Sequence, residues 1–308
     1  MEPPVRLGSS ELYISPIGAG TWAWGDRAGW GSYDENKLFD AFSALVDAGV
    51  TLFDTAEVYG GGESERILGR FLAKRSERLV VATKFAPLRA RLLASAMRPA
   101  LNASLRRLGR DHVDLYQLHW QTRWVSVERW MKGLIRAQRS GKATAAGVSN
   151  YSAEQMSLAR DTLSPAGISL VSNQVEFSLL CRSPEKNGVL DTCKKEGITC
   201  IAYSPLAMGL LTGKYTAKNL PQGGQRSKYS ADFVASISPL TALLTELGNG
   251  RGKSPAQVAL NWVICKGAVP IAGVKERRQA EELIGSTGWR LTPDEIARLD
   301  ETSARIAG

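Results

Sequence analysis

Residues 53–63 read Phe-Asp-Thr-Ala-Glu-Val-Tyr-Gly-Gly-Gly-Glu. An apolar strand over 50–53 ends there in an acid, Asp54, and five residues on stands Tyr59, ahead of three glycines. A carboxylate at the mouth of a buried strand is costly unless something pairs with it. Two later strands deliver suitable groups: Val80-Val81-Ala82-Thr83 leads to Lys84, and Val113-Asp114-Leu115-Tyr116-Gln117-Leu118 leads to His119.

Outward from this stretch the chain alternates. A small hairpin is expected over 5–14, turning at Gly8-Ser9-Ser10-Glu11, then short apolar strands over 17–21, 50–53, 79–83, 113–118, 143–148, 170–174, 198–203 and 268–272. Between and after them, apolar residues at helical spacing predict helices over 34–46, 63–73, 89–108, 125–138, 153–163, 184–195, 255–265 and 276–284, with a terminal helix over 292–302 capped by Thr292 and carrying Pro293 at its first position. Eight strands separated by helices mean a parallel sheet covered on its outer face, and a right-handed series of eight closes into a (β/α)₈ TIM barrel of typically about 250 residues. The 308 residues are read as one such domain over 1–308. The surplus goes into the N-terminal hairpin, the C-terminal extra helix and an inserted loop after strand 7, over 205–238, rich in Gly, Pro and Ser. A doubly wound nucleotide-binding sheet would want G-x-G-x-x-G in its first strand-to-helix turn, and that string is missing.

With 44% hydrophobic and 22% charged residues the composition is ordinary globular. The net charge of +9 is spread over helical segments (Arg66, Arg70, Lys74, Arg75, Arg78; Arg98, Arg106, Arg107, Arg110) with acids between them. This reads as a solvated surface, not a nucleic-acid face, and its mild positive field suits a phosphate-bearing cofactor. Cys181, Cys193, Cys200 and Cys265 have no C-x-x-C spacing and are expected as reduced thiols. The start Met1-Glu2-Pro3-Pro4 lacks the marks of a signal peptide, and no run is long enough to span a membrane. The expected place is the cytoplasm, with an organelle reached through a removed transit peptide left open.

Two strings are set aside. Gly248-Asn249-Gly250-Arg251-Gly252-Lys253-Ser254 is one residue short of a phosphate loop and has no strand before it; Ser254-Pro255 is instead the cap and first position of the next helix. Asn102-Ala103-Ser104 and Asn150-Tyr151-Ser152 fit the glycosylation pattern but have no secretory context.

In barrel enzymes reactive groups sit at the C-terminal ends of strands. Here the second to seventh strands end in Asp54, Lys84, His119, Ser149-Asn150, Asn173-Gln174 and Tyr203-Ser204. Taken singly, Asp54 could be a cap, Tyr59 a packed aromatic, Lys84 a surface lysine and His119, like His112, a packing residue. Their joint placement suits proton donation to a carbonyl as it accepts hydride. A tyrosine with pKa about 10 is a reluctant acid, and a nearby ammonium favours the phenolate. Lys84 would supply that charge, Asp54 would hold it, and neutral His119 would orient the carbonyl. No metal-ligand spacing or nucleophile elbow competes.

These residues resemble the aldo-keto reductase family. The matching strings are Phe53-Asp54-Thr55-Ala56-Glu57-Val58-Tyr59-Gly60, Ala82-Thr83-Lys84, Asp114-Leu115-Tyr116-Gln117-Leu118-His119, Gly147-Val148-Ser149-Asn150, Asn173-Gln174 and Ala202-Tyr203-Ser204-Pro205-Leu206, in family order through nearly the whole chain. The resemblance implies an NADPH-dependent reductase of aldehydes and ketones, with NADH possible, in which Tyr59 is the general acid and Asp54, Lys84 and His119 complete the tetrad. It implies that Ser149, Asn150 and Gln174 hold the nicotinamide carboxamide, that Tyr203 stacks on the ring, and that Gly20, Thr21, Trp22 and Asp54 also face the cofactor. The segment from Ser204 to Lys214, with Leu206, Gly209 and Leu210, resembles the loop over the pyrophosphate.

After the eighth strand Gly273, Lys275, Gln279 and Glu282 fall in the family's adenosine-phosphate site. Lys275, with Arg277 or Arg278, would pair with a 2′-phosphate and favour NADPH. Gly273, Gln279 and Leu283 stand where many members have lysine, arginine and asparagine. Trp22, Trp24 and Trp120, with Tyr59 and His119, are expected to line the substrate mouth, and the short tail implies an open pocket. The partner is then a small-molecule aldehyde or ketone; the oligomeric state stays open. The alternative is an NADPH-binding, redox-sensing partner subunit with little turnover.

Overall fold

The structure, a computed structural model, describes residues 2–89, 91–221 and 229–306. A hairpin of β1 (Val5–Arg6) and β2 (Tyr13–Ile14) leads into the barrel strands: β3 (Gly18–Gly20), β4 (Leu52–Asp54), β5 (Val80–Phe85), β6 (Val113–Leu118), β7 (Ala143–Ser149), β8 (Leu170–Glu176), β9 (Thr199–Tyr203) and β10 (Val269–Gly273). Each pairs in parallel with the next, and β10 pairs with both β9 and β3, which closes the barrel. Alternation along each strand sends one set of side chains inward and the other toward the helices. The inward set, with Leu52, Val80, Leu115, Ile201 and Val269, packs against Leu7 and Ile14, so the hairpin plugs the end opposite the site.

The outer layer holds α1 (Arg27–Trp30), α2 (Glu35–Asp47), α3 (Glu63–Leu72), α4 (Met97–Leu108), α5 (Val127–Arg139), α6 (Ala153–Leu163), α7 (Ser183–Lys186), α8 (Val189–Glu196), α9 (Ala231–Ser236), α10 (Ser238–Asn249), α11 (Pro255–Cys265), α12 (Arg277–Ile284) and α13 (Pro293–Ile306). Their starts follow the expected chemistry. Ser254 and Gln257 form a reciprocal capping box at α11, which settles that string as a helix start, and Thr292 and Glu295 exchange the same two bonds at α13.

Three expectations are corrected. The helix expected over 89–108 begins at Met97, after a 3₁₀ turn at Ala94–Ala96; residue 90 lies outside the described residues. An earlier start would put Pro99 in a helix interior, where its ring meets the carbonyl four residues back, whereas at the third position it costs no bond. The helix expected over 184–195 is split into α7 and α8 at Gly188, whose φ is 78°. The insertion is not loop throughout: it carries a 3₁₀ stretch Ala207–Thr212 and α9, and beyond it stands the unforeseen α10, which buries Leu240, Leu243, Leu244 and Leu247. Residues 222–228 of the insertion lie outside the described set. Among the described residues no helix is long and apolar enough to cross a membrane.

Candidate active site

Asp54 closes β4, and Lys84 lies inside β5, directly across the ladder from Gln117 of β6. All three side chains meet in the top layer of the barrel interior. The Lys84 ammonium donates to Asp54 Oδ1, to the Thr55 carbonyl at 3.0 Å and to the Tyr59 hydroxyl at 3.2 Å. An ammonium has three hydrogens, and all are used. The other carboxylate oxygen, Oδ2, accepts Gln174 Nε2 at 2.9 Å and Gln117 Nε2 at 3.1 Å.

Tyr59 reaches this layer from a turn, not a strand. It opens the 3₁₀ turn Tyr59–Gly62, in which Gly60 and Gly61 have φ of 55° and 64°. A Cβ on Gly60 would stand 2.7 Å from the Gly25 carbonyl carbon, so the turn that aims Tyr59 at Lys84 needs glycine. Behind it, Ser64 bridges the Thr21 and Thr55 hydroxyls at 2.7 and 2.9 Å.

The three titratable groups differ in what burial does to them. Burial pushes the Tyr59 phenol above its ordinary 10, and Lys84 pulls against this only in part. The expectation that Lys84 leaves this phenol more acidic than a free one is therefore corrected: desolvation wins, and Tyr59 holds its proton at neutral pH. Burial pulls Lys84 down, but the charge of Asp54, with the hydrogen bonds to Asp54 and Tyr59, more than offsets it, so the group stays an ammonium. His119 is driven down to about 3, by burial first and by the Lys84 charge second. Its ring is neutral, and its Nδ1 is buried with no hydrogen-bond partner among the described residues.

A cavity of about 600 Å³ opens above this layer, within the roughly 300–1,000 Å³ of small-molecule and cofactor pockets. It is lined at one end by Tyr59, His119, Trp22 and Trp120, along its length by Gly20, Asp54, Ser149, Asn150, Gln174, Tyr203, Ser204, Leu206, Gly209 and Lys214, and by Gly273, Lys275, Gln279 and Glu282 after β10. Asn150 ties three elements together: its Nδ2 donates to the His119 carbonyl at 3.2 Å and its Oδ1 accepts the Tyr203 hydroxyl at 3.0 Å. Asn150, Ser204, Ala207 and Met208 all have positive φ, between 46° and 60°. Non-glycine residues in that region cost of order 1–3 kcal/mol each and gather at ligand clamps.

Other expected residues lie elsewhere. Trp24 does not line the mouth: the bond from its N–H to the Thr21 carbonyl turns it inward, its indole donates to the Val274 carbonyl at 2.7 Å, and it packs edge-on to Phe71 as core. Thr21 and Leu210 stand behind the wall; Thr21 is fully buried and donates to the Asp54 carbonyl. Lys275 lines the cavity, yet its ammonium donates to the carbonyls of Trp30 and Ser32 at 3.1 and 2.9 Å. Arg277 pairs with Asp40, while Arg278 lines the cavity with 68% of its side chain exposed.

Trp30 and Gln117 are among the residues that the sequence reading missed. Trp30 lines the cavity edge-on to Trp22, which in turn stacks over Tyr59; a third tryptophan in that glycine-rich loop was the available signal. Gln117 holds Asp54 from below. The two-residue alternation Leu115, Gln117, His119 would have flagged it as facing inward beside Lys84.

A closed parallel barrel with a buried lysine between a carboxylate and a phenol, under a cavity of cofactor size, is the architecture of an oxidoreductase of carbonyl compounds. The Aldo/keto reductase family model matches residues 16–304, and the chain belongs to that family. It is 41% identical over 312 residues to the chloroplastic pyridoxal reductase of Arabidopsis thaliana, covering 96% of this chain and 84% of that protein. It is 32% identical over 305 residues to the L-glyceraldehyde 3-phosphate reductase of Escherichia coli, covering 88% and 86%. Among solved structures, a glycerol dehydrogenase from Gluconobacter oxydans superposes with a TM-score of 0.85 at 30% identity, covering 98% of this chain and 95% of that one.

The neutral His119 has a consequence for stability. Its folded pKa of about 3 lies below the ordinary 6.5, so between these values the unfolded chain binds a proton that the folded chain does not. The stability this residue contributes is complete above the upper value and is lost as pH falls toward the lower. His119→Gln should therefore flatten the acid side of the stability curve, read from urea midpoints across that window. An unchanged slope would contradict a neutral, buried imidazole.

Proposed function

We propose that this protein is an NADPH-dependent aldehyde reductase in which Tyr59 is the proton donor. The observation that carries the reading is the fully buried Lys84, which donates to Asp54 and to the Tyr59 hydroxyl at once. The residues fit a dinucleotide. The cavity runs from Tyr59 and His119 to Lys275 and Arg278, and its walls offer the Ser149, Asn150 and Gln174 side chains at the end nearer Tyr59. Bound NADPH would supply hydride to the carbonyl carbon.

The chain's own residues handle the proton and the developing charge. Tyr59 gives its phenolic proton to the carbonyl oxygen, which completes the alcohol. Because burial favours the protonated phenol, the phenolate left behind needs a cation, and Lys84 stands 3.2 Å away to supply it. Asp54 keeps that lysine charged and in place. His119, neutral across the working range, orients the carbonyl without competing for the proton.

Among the cations of the adenosine-phosphate turn, Arg278 suits a 2′-phosphate best. Arg277 is held by Asp40 and does not line the cavity, and Lys275 is engaged with two loop carbonyls, whereas Arg278 lines the cavity and, among the described residues, makes only long pairs, with Glu276 at 3.4 Å and Glu282 at 3.9 Å. For the substrate, Trp22, Trp30 and Trp120 make an aromatic wall beside Tyr59, while the cations that line the cavity, Lys214, Lys275 and Arg278, belong to the 204–214 segment and the turn after β10. This favours a planar, uncharged aldehyde over a phosphorylated one, and pyridoxal, in the name of the Arabidopsis relative, is the first to try. The four cysteines are free thiols, which suits a reducing compartment, the cytoplasm or a plastid.

Tyr59→Phe should lower kcat for pyridoxal or a nitrobenzaldehyde roughly 10²–10⁴-fold, with cofactor affinity retained. Full turnover would remove Tyr59 as the acid. NADPH binding without turnover by the wild type across a carbonyl panel would favour the partner-subunit alternative. Arg278→Ala should raise KM for NADPH about tenfold, as the loss of a charge-assisted bond implies, and leave NADH nearly unaffected. An equal change for both cofactors would take the 2′-phosphate away from Arg278.

A further inference from the structure

We propose that Lys275 is a positioning residue for the substrate wall: from the turn after β10 it caps the C-terminal end of α1 and so holds Trp30 against Trp22, beside Tyr59. What that wall does rests on the reading of the protein as an aldehyde reductase; the strap itself does not.

The segment that carries Trp30 does little to hold itself. The helix α1 has four residues and buries none of them, and so short a helix fixes several backbone angles for very few hydrogen bonds. Its start is capped by Asp26, whose carboxylate accepts the Gly29 N–H at 2.9 Å. Its end leaves carbonyls that no further turn satisfies. The Lys275 ammonium takes two there, donating to the carbonyl of Trp30, the last residue of α1, at 3.1 Å and to that of Ser32 at 2.9 Å. A cation suits this place, since the carbonyls at a helix C-terminus carry the negative end of its dipole.

The lysine is fixed where it stands. Its own N–H donates to Gln279 Oε1 on α12 at 2.7 Å, and the carbonyl before it, of Val274, accepts the Trp24 indole at 2.7 Å. One turn therefore grips the chain on both sides of α1. The Trp30 ring meets Trp22 edge-on with centroids 5.2 Å apart, and Trp22 stacks on Tyr59 at 6.0 Å. A line of contacts thus runs from the ammonium through two indoles to the phenol.

The consequence falls on substrate choice. A planar aromatic aldehyde has a ring to lay against Trp22 and Trp30, both of which line the cavity, whereas a short aliphatic one needs little beyond Tyr59 and His119. Loosening the strap should then penalise the first far more than the second.

The strap is read first on the protein without cofactor or aldehyde. In Lys275→Met, which keeps the stem and loses the ammonium, the amides of Gly29, Trp30 and Gly31 should exchange with deuterium about tenfold faster than in wild type, the order expected for losing a charge-assisted bond. Wild-type exchange there overturns the strap. Specificity is read as the KM for a nitrobenzaldehyde divided by that for propanal, with NADPH saturating. Lys275→Met should raise this ratio about tenfold, and Trp30→Ala should do the same. In the Trp30→Ala background, adding Lys275→Met should move it less than about twofold, because the lysine acts through that ring. An unchanged ratio in either single variant, or the same rise from Lys275→Met in both backgrounds, overturns the positioning role. So does a loss of NADPH affinity with NADH affinity kept, titrated without aldehyde, which would make Lys275 a phosphate ligand. A wild type that reduces neither aldehyde ends the reductase reading and the specificity role with it, a case the exchange experiment separates from a failure of the strap.

Discussion

Lys84 and Asp54 face each other with 0% and 3% of their side chains exposed, where taking each ion out of water costs several kcal/mol. Such a pair is a poor device for stability, and its surroundings show what holding it takes. Every hydrogen of the ammonium is used, on Asp54, Thr55 and Tyr59, and the second carboxylate oxygen has two amide donors. These partners come from β4, β5, β6 and β8 and from the turn at Tyr59, so the barrel must close in one register for the pair to be satisfied. The same cation that must be neutralised by Asp54 is the one that pulls back part of the burial-driven rise at the Tyr59 phenol and adds to the burial that depresses His119. The proton donation proposed for Tyr59 would thus follow from how one buried charge is housed.

Much of the fold was legible because it rests on repetition. Apolar strands separated by helical periodicity leave few architectures, and caps such as Ser254 and Thr292 carry their own signature. The failures have local causes. Pro99 delayed the start of α4, and Gly188 split one expected helix, both effects of single residues inside an otherwise periodic run. The helix α10 lies beyond a Gly-, Pro- and Ser-rich insertion that masked its Leu240, Leu243, Leu244 and Leu247 pattern.

The site divides in the same way. Asp54, Lys84 and His119 were legible because a strand end fixes where a side chain goes. Trp24 was misread because one turn after β3 decides whether a tryptophan faces the cavity or the α2–α3 layer, and composition cannot tell the two apart. Lys275 was assigned by charge, whereas its actual partners are backbone carbonyls 245 and 243 positions away in sequence. The pKa direction of Tyr59 was also out of reach: the sequence shows the cation but not the burial that outweighs it.

If the buried pair is what makes Tyr59 an acid, removing its cation should abolish chemistry while sparing cofactor binding. The most direct measurement is the single-turnover rate of aldehyde reduction by NADPH in Lys84→Met, with saturation checked independently. A rate lower by about 10²-fold or more, with NADPH still bound, is the expected result. A single-turnover rate equal to wild type would contradict the role given to Lys84 and, with it, the proton path through Tyr59.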